Sequence, residues 1–320
     1  MIDDVILQRA LDETGFGSAD RVPLAGDASR RRYERLEASG KSAILMISPP
    51  EIDPSLPRFL YLSELLRKGG VSAPDVYFAD TAAGIAILED IGPVLRESPD
   101  LSDVETGLGE AVRLIPEYGR FAADVPYPST EELLSAMELA KNWLPSADPV
   151  AFDDFSVSMR PYLEQLCESP RALSLRDYHA GNLTWLAHRN GTARIGVLDF
   201  QDAFMVHPTY DLASILYDAR VDYPAELQDK CIADFAQITK STPDEVALST
   251  SIMTLQRNVR ILGIFARLAL RDGKSNYLRF IQHTAGTLRR AVEHPELEDL
   301  ASLLRSAIGD VYSNLRAFRP

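Results

Sequence analysis

A change of hydrophobic pattern near residue 90 is the feature that most limits how this chain can fold. Before it, short apolar runs separated by turn residues predict about five strands, and helical spacing over 56–67 predicts one helix inserted after the third strand. After it, helical periodicity dominates, and Gly92-Pro93 supplies a strong break between the two patterns. We therefore predict an α+β protein, with a small antiparallel sheet domain over residues 1–92 and a larger, mainly helical domain over 93–320.

Composition narrows what such a chain can bind. Asp and Glu number 47 against 33 Lys and Arg, so the net charge is −14. This excess of negative charge argues against a protein that coats nucleic acid and against a polybasic membrane anchor. The two cysteines, Cys167 and Cys231, lack metal-ligand spacing, and no apolar stretch is long enough to span a membrane. We therefore expect a cytoplasmic protein with reduced thiols that binds neither nucleic acid nor a membrane.

The segment 173–202 interrupts the helical part with a predicted β-hairpin. Two apolar runs, 183–186 and 195–198, flank a polar turn that contains Asn190-Gly191. Asn-Gly between apolar runs is a strong signal for a tight turn between antiparallel strands.

Three oxygen-bearing side chains flank this hairpin. Asp177 and Asn182 lie in the loop before its first strand, and Asp199 follows its second strand. An antiparallel hairpin brings these ends together, so we expect the three side chains to converge. Carboxylate and amide oxygens suit Mg²⁺, a hard ion that keeps phosphates in its shell. The plain alternative is that Asp177 and Asn182 only cap a turn, as these residue types often do.

Three motifs in fixed order carry a family resemblance. They are Arg176 to Asn182 (RDYHAGN), Val197 to Phe200 (VLDF) and Pro208 to Ala213 (PTYDLA). The chain resembles the aminoglycoside phosphotransferase family, whose members show H-G-D-x-H-x-x-N, then an apolar strand with I-D-[FW], then D-P-x-Y-D-L-A. With the N-terminal sheet and the helical remainder, the resemblance covers nearly the whole chain. It implies a two-lobed protein kinase-like fold and ATP-dependent phosphotransfer to a hydroxyl of a small molecule.

Four further stretches resemble one bacterial branch of that family: 24–33, 49–51, 175–179 and 198–203. The branch contains anomeric kinases of N-acetylmuramic acid and N-acetylglucosamine in cell-wall recycling, which implies an amino-sugar acceptor. It also contains proteins encoded beside, or fused to, a tRNA-modification ATPase, which implies a functional association with that ATPase. Two alternatives stay open. One is a kinase of an aminoglycoside, choline or another cationic alcohol, which an acidic pocket would favour. The other is an inactive nucleotide-binding partner of the tRNA-modification machinery.

Carried over residue by residue, the resemblance assigns roles to the three converging side chains. Asp177 would orient the acceptor hydroxyl and accept its proton, while Asn182 and Asp199 would hold Mg²⁺ on the phosphates of ATP. Two positions depart from the family pattern without removing a ligand. Leu175 replaces the usual histidine before the catalytic aspartate, and Gln201 replaces the usual glycine after the metal-binding aspartate.

The N-terminal domain departs from the kinase pattern more seriously. Kinases carry a lysine in the third strand, in a V-A-I-K pattern, to hold the α- and β-phosphates. The corresponding run here ends in Met46. We predict that one of the arginines at 30–32, above all Arg30 or Arg32, replaces the lysine, because the planar fork of arginine binds phosphate bidentately. The alternative is that the arginines at 30–32 form a solvated strand edge. Gly26 and Ser29 belong to the predicted phosphate loop before them.

Other residues complete the predicted nucleotide site. Glu64 on the inserted helix is the natural partner of a phosphate-binding cation, or else an ordinary exposed helix glutamate. Glu89 to Ile91 are expected to form the connector whose backbone groups meet adenine.

Three residues near the catalytic motif have open roles. His179 contacts the substrate or structures the loop, and Asp202 touches substrate or a second metal or ends a turn. Asp211 is expected to hydrogen-bond the catalytic loop from the first turn of a helix, where a carboxylate also suits the helix dipole.

Overall fold

A computed structural model describes residues 4–24, 31–97 and 101–311 of the chain. The chain divides into two compact units, and the segment 181–202 belongs to the same unit as the N-terminal sheet. The first unit consists of Met1–Glu110 and Gly181–Asp202, and the second of Ala111–Ala180 and Ala203–Pro320. The predicted α+β class is confirmed, whereas the predicted boundary after residue 92 stays a prediction.

The first unit is built around five strands and two helices from the N-terminal region. They are α1 (Asp4–Glu13), β1 (Asp20–Leu24), β2 (Arg32–Ala38), β3 (Lys41–Ile47), α2 (Leu56–Lys68), β4 (Val76–Asp80) and β5 (Ile85–Glu89). The strands form one antiparallel sheet in the order β1-β2-β3-β5-β4. The five strands and the helix after the third strand match the elements predicted from hydrophobic spacing.

The core of this sheet lies on its central strands. Leu45 in β3 and Ile87 in β5 pair directly and are fully buried. The helix α1 packs its apolar stripe onto them, because Leu7 and Leu11, one turn apart, fall on one face. Gly84 precedes β5 with a φ of 67°, and a Cβ there would lie 2.2 Å from the carbonyl oxygen of Ser48. Only glycine permits this close turn between β4 and β5.

The hairpin predicted from the apolar runs 183–186 and 195–198 is present in the first unit. Its strands are β7 (Leu183–Trp185) and β8 (Ile195–Val197), which pair antiparallel. A short 3₁₀ turn over Gly191–Arg194 joins them. The backbone N–H of Leu198 donates to the carbonyl oxygen of Asn182 at 2.9 Å, which extends the ladder by one bond to the open end of the hairpin.

The second unit is mainly helical. Its elements are α4 (Thr130–Trp143), α5 (Pro149–Glu168), β6 (Ala172–Ser174), β9 (Phe204–Val206), α6 (Thr209–Leu216), α7 (Ala225–Thr239), α8 (Pro243–Leu270), α9 (Leu278–Ala291) and α10 (Glu298–Ile308). The helix α3 (Leu101–Gly119) contains the point at which the two units divide. The strands β6 and β9 precede and follow the β7–β8 hairpin in sequence, and they pair with each other antiparallel.

The long helix α8 forms the centre of the second unit. Thr242 caps it and forms a capping box with Glu245, as the sequence Thr-Pro-Asp-Glu predicts. Buried side chains such as Met253 and Leu262 join it to the core. At Gly263 an added Cβ would lie 2.2 Å from the backbone of Leu139, so α4 and α8 approach closely at this point. None of the helices in the described ranges has the length and apolarity that a membrane crossing requires.

Candidate active site

The hairpin β7–β8 positions two of the predicted ligands in the first unit. Asn182 directly precedes β7, and Leu198 separates Asp199 from β8, so the ladder bond between Leu198 and Asn182 holds both at the same end. Asp199 has a φ of 56°, in the left-handed region that aspartate tolerates better than most residues. Such a conformation, held by its surroundings, is common at functional sites.

Gln201 and Arg31 are polar neighbours of the Asp199 carboxylate. Gln201 donates from Nε2 to its Oδ1 at 2.9 Å, and Arg31 approaches the same oxygen at 3.4 Å. The side chain of Asp199 remains 41% exposed, so an ion can reach the carboxylate. Gln201 is the residue that replaces the usual glycine of the motif, and here it orients the carboxylate.

Arg31 is itself held in a polar network. Its side chain is only 8% exposed, and its Nε donates to Asp53 Oδ2 at 2.8 Å. Its guanidinium also donates to the hydroxyl of Tyr33 at 3.2 Å. Burial raises the pKa of Tyr33 to about 12 although Arg31 acts in the opposite direction, so the phenol stays protonated. Asp53 is fixed in turn, because its Oδ1 accepts from the backbone N–H of Ser55 at 3.0 Å.

The other predicted nucleotide-site residues are placed as follows. Gly26, Ser29 and Arg30 lie outside the described residues. Arg32 is exposed at the start of β2, where it pairs with Ile47.

Glu64 is exposed on α2 and forms an ion pair with Lys68 one turn later. The hydrogen bond from Lys68 lowers the pKa of Glu64. In the connector, the Glu89 carboxylate accepts from the backbone N–H of Asp75 at 3.1 Å, and Ile91 is buried.

In the second unit, Asp211 braces the loop that carries Asp177. Asp211 is buried in the first turn of α6 and accepts four hydrogen bonds. Their donors are the hydroxyl of Ser174 at 2.7 Å, the backbone N–H of Leu175 at 2.7 Å, the backbone N–H of Arg176 at 3.1 Å and the hydroxyl of Tyr118 at 2.8 Å. Burial raises the pKa of Asp211, and these four donors oppose the rise. The carboxylate is thus saturated by the protein itself.

This bracing supports an unusual backbone conformation directly before Asp177. Arg176 has a φ of 69°, which is rare for a residue with a long side chain. Its backbone N–H donates to the hydroxyl of Ser174 at 3.0 Å as well as to Asp211. The two bonds fix the peptide between Leu175 and Arg176, one residue before Asp177.

Positive side chains dominate the surroundings of Asp177. Burial alone raises the pKa of its carboxyl, but His179, Arg257, Arg260 and Arg176 together lower the pKa below its ordinary value. Asp177 is therefore a carboxylate at neutral pH.

His179 and Arg257 are buried in the same cluster. Burial lowers the pKa of His179 to about 4, although Asp218 and Asp177 oppose the change, so the imidazole is neutral at pH 7. Arg257 on α8 is 2% exposed. Burial lowers its pKa and the same two carboxylates counteract this, so the guanidinium keeps its charge.

Asp218 and Tyr223 bring unsatisfied polar atoms to this cluster. Arg220 donates to Asp218 Oδ1 at 3.3 Å, whereas Asp218 Oδ2 is buried without a hydrogen-bond partner among the described residues. The hydroxyl of Tyr223 is likewise buried and unpartnered within those ranges. Burial and the charge of Asp218 both raise the pKa of Tyr223. Asp202, by contrast, is exposed in the turn of the first unit that follows Phe200.

Several residues of these two networks were missed by sequence reasoning: Asp53, Asp218, Arg220, Tyr223, Arg257 and Arg260. Arg257 carried a usable signal, because a charged residue on the apolar stripe of a long helix is rarely buried unless it is paired. Asp53 carried none, since an aspartate between prolines in a loop is an ordinary surface feature.

The donor set at the end of the hairpin fits Mg²⁺. In the part of the chain that is described, no group of three or more His, Cys, Asp or Glu is arranged to hold a metal ion. Asn182 and Asp199 need no such group, because an amide and a carboxylate oxygen suffice where phosphates and water complete an octahedral shell.

Comparisons with known proteins agree with this geometry. The model of the phosphotransferase enzyme family matches residues 20–248, more than half of the chain. The chain therefore belongs to the phosphotransferase enzyme family, and the family predicted from the three motifs is confirmed.

Two curated relatives are similar over nearly the whole chain. The N-acetylmuramate/N-acetylglucosamine kinase of Caulobacter vibrioides is 33% identical over 91% of this chain and 92% of that protein. The enzyme of the same name from Pseudomonas putida is 28% identical over 95% of this chain and 92% of that protein.

Solved structures confirm the kinase-like fold. The choline kinase LicA of Streptococcus pneumoniae superposes with a TM-score of 0.67 at 16% identity, covering 93% of this chain and 99% of that chain. A ternary complex of aminoglycoside phosphotransferase APH(4)-Ia with ADP and hygromycin B gives a TM-score of 0.59 at 14% identity, covering 90% of this chain and 98% of that chain.

Proposed function

We propose that this protein is an ATP-dependent kinase that transfers the γ-phosphate of ATP to a hydroxyl of an amino sugar of the N-acetylmuramate or N-acetylglucosamine type. The relatives that match more than nine-tenths of the chain carry this activity in their names. Use of ATP also favours action in the cytoplasm, the compartment expected from the sequence. The association with a tRNA-modification ATPase stays a prediction.

The positive charge around Asp177 is the observation that carries the choice of acceptor. The cluster of the second unit contains Asp177 and Asp218, and the charged groups that act on these two carboxylates and on His179 include four arginines: Arg176, Arg220, Arg257 and Arg260. With His179 neutral, four arginines against two carboxylates leave two positive charges in excess. In a chain of net charge −14 this is a local reversal of sign.

Such surroundings suit an acidic acceptor better than a cationic one. The carboxylate of N-acetylmuramic acid gains from nearby guanidinium groups, which bind carboxylates through paired N–H donors. An aminoglycoside or choline would bring positive charge against them. The unpartnered Asp218 Oδ2 and Tyr223 hydroxyl are polar atoms that the hydroxyl and amide groups of a sugar could satisfy, which avoids the cost of leaving them buried and unpaired.

In this proposal, Asp177 orients the acceptor hydroxyl and accepts its proton. Its lowered pKa keeps it ionised, which makes it a strong hydrogen-bond acceptor although a weak base. Phosphoryl transfer needs little help from a strong base, because its transition state is loose and catalysis rests on positioning and charge stabilisation. Asp211 keeps the loop in place, and neutral His179 adds no charge that would compete for the acceptor.

Asn182 and Asp199 would hold Mg²⁺ in the first unit. When bound, the ion neutralises charge on the phosphates of ATP and orients them for transfer. Gln201 orients the Asp199 carboxylate through one of its oxygens, and the side chain is 41% exposed. Glu89 to Ile91 would meet adenine through backbone groups, as expected for the connector.

The test is ADP release by the purified protein with Mg-ATP and a panel of acceptors. We expect N-acetylmuramic acid and N-acetylglucosamine to stimulate release, and kanamycin and choline not to. Asp177→Asn should lower kcat by about 100- to 10,000-fold, the range for loss of a general base, while Mg-ATP still binds. Preference for the cationic acceptors would contradict the acceptor assignment. If no acceptor of the panel stimulates ADP release although ATP binds, the inactive alternative is supported. Full activity of Asp177→Asn would exclude Asp177 as the base.

A further inference from the structure

The position where kinases carry their phosphate-binding lysine is apolar in this protein. It corresponds to Met46 in β3, which is 1% exposed and pairs with Tyr33 on β2. A buried thioether offers no charge to a triphosphate. Another cation of the first unit has to serve if the protein uses ATP.

The sheet register shows which arginine begins on the face of the sheet that carries Met46. Side chains alternate along a strand, so residues 31 and 33 point to one face and residue 32 to the other. Tyr33 is directly opposite Met46, so these two side chains share a face, and Arg31 shares it with them. The hydrogen bond from Arg31 to the Tyr33 hydroxyl agrees with this placement. Arg32 starts on the opposite face and is exposed.

A carboxylate already orients Arg31, as an orienting glutamate does for the lysine of a kinase. Asp53, in the loop between β3 and α2, accepts from Arg31 Nε at 2.8 Å and is anchored to the backbone of Ser55. Glu64, the expected partner of the cation, forms its ion pair with Lys68 instead. The lysine–glutamate pair of kinases therefore has a counterpart here in Arg31 and Asp53, which come from other positions.

The far end of Arg31 reaches the predicted metal ligand. The Nη1 of Arg31 lies 3.4 Å from Asp199 Oδ1, within the same unit. A guanidinium has five N–H donors, so the bond from Nε to Asp53 can hold the side chain while its outer edge faces acidic oxygens. Asp199 would hold Mg²⁺ on the phosphates of ATP. The oxygens of those phosphates are acceptors that the outer edge of a guanidinium binds well.

We propose that Arg31, oriented by Asp53, is the cation that binds the phosphates of the nucleoside triphosphate in this protein. The assignment rests on the proposed kinase function. It differs from the expectation for Arg30 or Arg32, and it adds Asp53 as a positioning residue.

The test is calorimetric titration of the full-length protein with Mg-ATP and, separately, with adenosine. Arg31→Ala should weaken Mg-ATP binding by roughly 10- to 100-fold, as expected for lost hydrogen bonds to a charged group, and leave adenosine binding within about twofold. Arg31→Lys should recover part of the loss. Asp53→Asn should weaken Mg-ATP by a few-fold, because Arg31 keeps its charge but loses its orientation.

Arg21→Ala is the matched control. Arg21 also donates from Nε to a carboxylate of the same sheet, Glu34, at 2.7 Å, so the variant removes an equivalent ion pair on the edge strand. It should bind Mg-ATP as the wild type does. Unchanged adenosine binding in Arg31→Ala shows that the variant is folded; if it is not folded, Arg31→Lys and Asp53→Asn decide the question.

Three results separate this inference from the proposed function. If Arg31→Ala and Asp53→Asn bind Mg-ATP like the wild type, the inference is wrong even where the wild type phosphorylates amino sugars. If only Arg32→Ala weakens Mg-ATP, the cation is Arg32 and the inference is also wrong. If Arg31→Ala loses Mg-ATP selectively but the wild type phosphorylates no acceptor, the phosphate-binding role stands and the acceptor proposal fails.

Discussion

Asp199 in the first unit and Asp211 in the second are both carboxylates of the predicted site, yet the protein treats them in opposite ways. Asp211 is buried and receives four hydrogen bonds from its own chain. Asp199 is 41% exposed and has Gln201 and Arg31 on one oxygen. A buried carboxylate that accepts four hydrogen bonds can only brace the structure, whereas a carboxylate that solvent reaches can take a ligand. Exposure thus distinguishes the two roles better than the residue type does.

The Asp177 carboxylate lies among charged groups of the second unit. His179, Arg257, Arg260 and Arg176 lower its pKa. Fixed positive charges keep a carboxylate ionised without filling all of its acceptor sites. This environment suits a group that must accept a hydrogen bond from an incoming hydroxyl.

Asp211→Ala should have the largest effect, because it removes the acceptor of four buried donors. We expect a loss of about 3–5 kcal/mol in the free energy of unfolding, the range for breaking a buried, hydrogen-bonded charge network. Urea denaturation followed by circular dichroism measures it. Tyr118→Phe removes one of the four donors and should cost only about 1 kcal/mol. Equal stability of Asp211→Ala and wild type would show that the loop is held by other contacts.

Asp199→Asn should leave stability nearly unchanged and act on catalysis instead. We expect kcat/KM to fall by about 100- to 1,000-fold, as when one electrostatic contact to a reacting group is lost, and the half-saturating Mg²⁺ concentration to rise. A chelator should abolish wild-type activity. Glu37→Gln, an equal change of charge at an exposed position of β2, is the control. An unaltered Mg²⁺ requirement in Asp199→Asn would remove this residue from the metal site.

Local patterns were sufficient to predict most elements of the fold. Hydrophobic spacing predicted the strands and α2, and the cap at Thr242 predicted where α8 begins. The Asn190-Gly191 turn predicted a hairpin, and the backbone bond between Leu198 and Asn182 joins the two ends that were expected to meet. Each of these features depends on residues close in sequence, which is why a single chain reveals them.

The partners of the site residues could not be predicted in the same way. Arg31 and Asp53 are separated by two whole strands, β2 and β3, and no spacing rule relates them. The arginine triplet predicts a cation for the phosphates, but consecutive strand residues alternate faces, so a register known to within one residue cannot select one arginine. Arg257 and Arg260 reach the surroundings of Asp177 only through the packing of α8 in the second unit.

Arg260→Met should have the smallest effect and the most specific one. It removes one fixed positive charge while keeping a side chain of similar length. If the arginines recognise an acidic acceptor, KM for N-acetylmuramic acid should rise by about tenfold, the loss of one charge-assisted contact, while KM for N-acetylglucosamine changes by less than about threefold. Arg279→Met, at an exposed position of α9, is the control. Equal changes for both sugars would contradict a role in carboxylate recognition.

The same variant should also change the pH profile measured with N-acetylglucosamine, an acceptor without a carboxyl group. The pKa of Asp177 lies below its ordinary value because positive groups stabilise the carboxylate. Activity that needs this carboxylate is therefore complete at neutral pH and is lost only as pH falls through that lowered pKa. Removing the charge of Arg260 raises the pKa of Asp177, so the acidic limb of kcat/KM should move to higher pH. A limb that stays in place would show that the low pKa of Asp177 depends on His179, Arg257 and Arg176 rather than on Arg260.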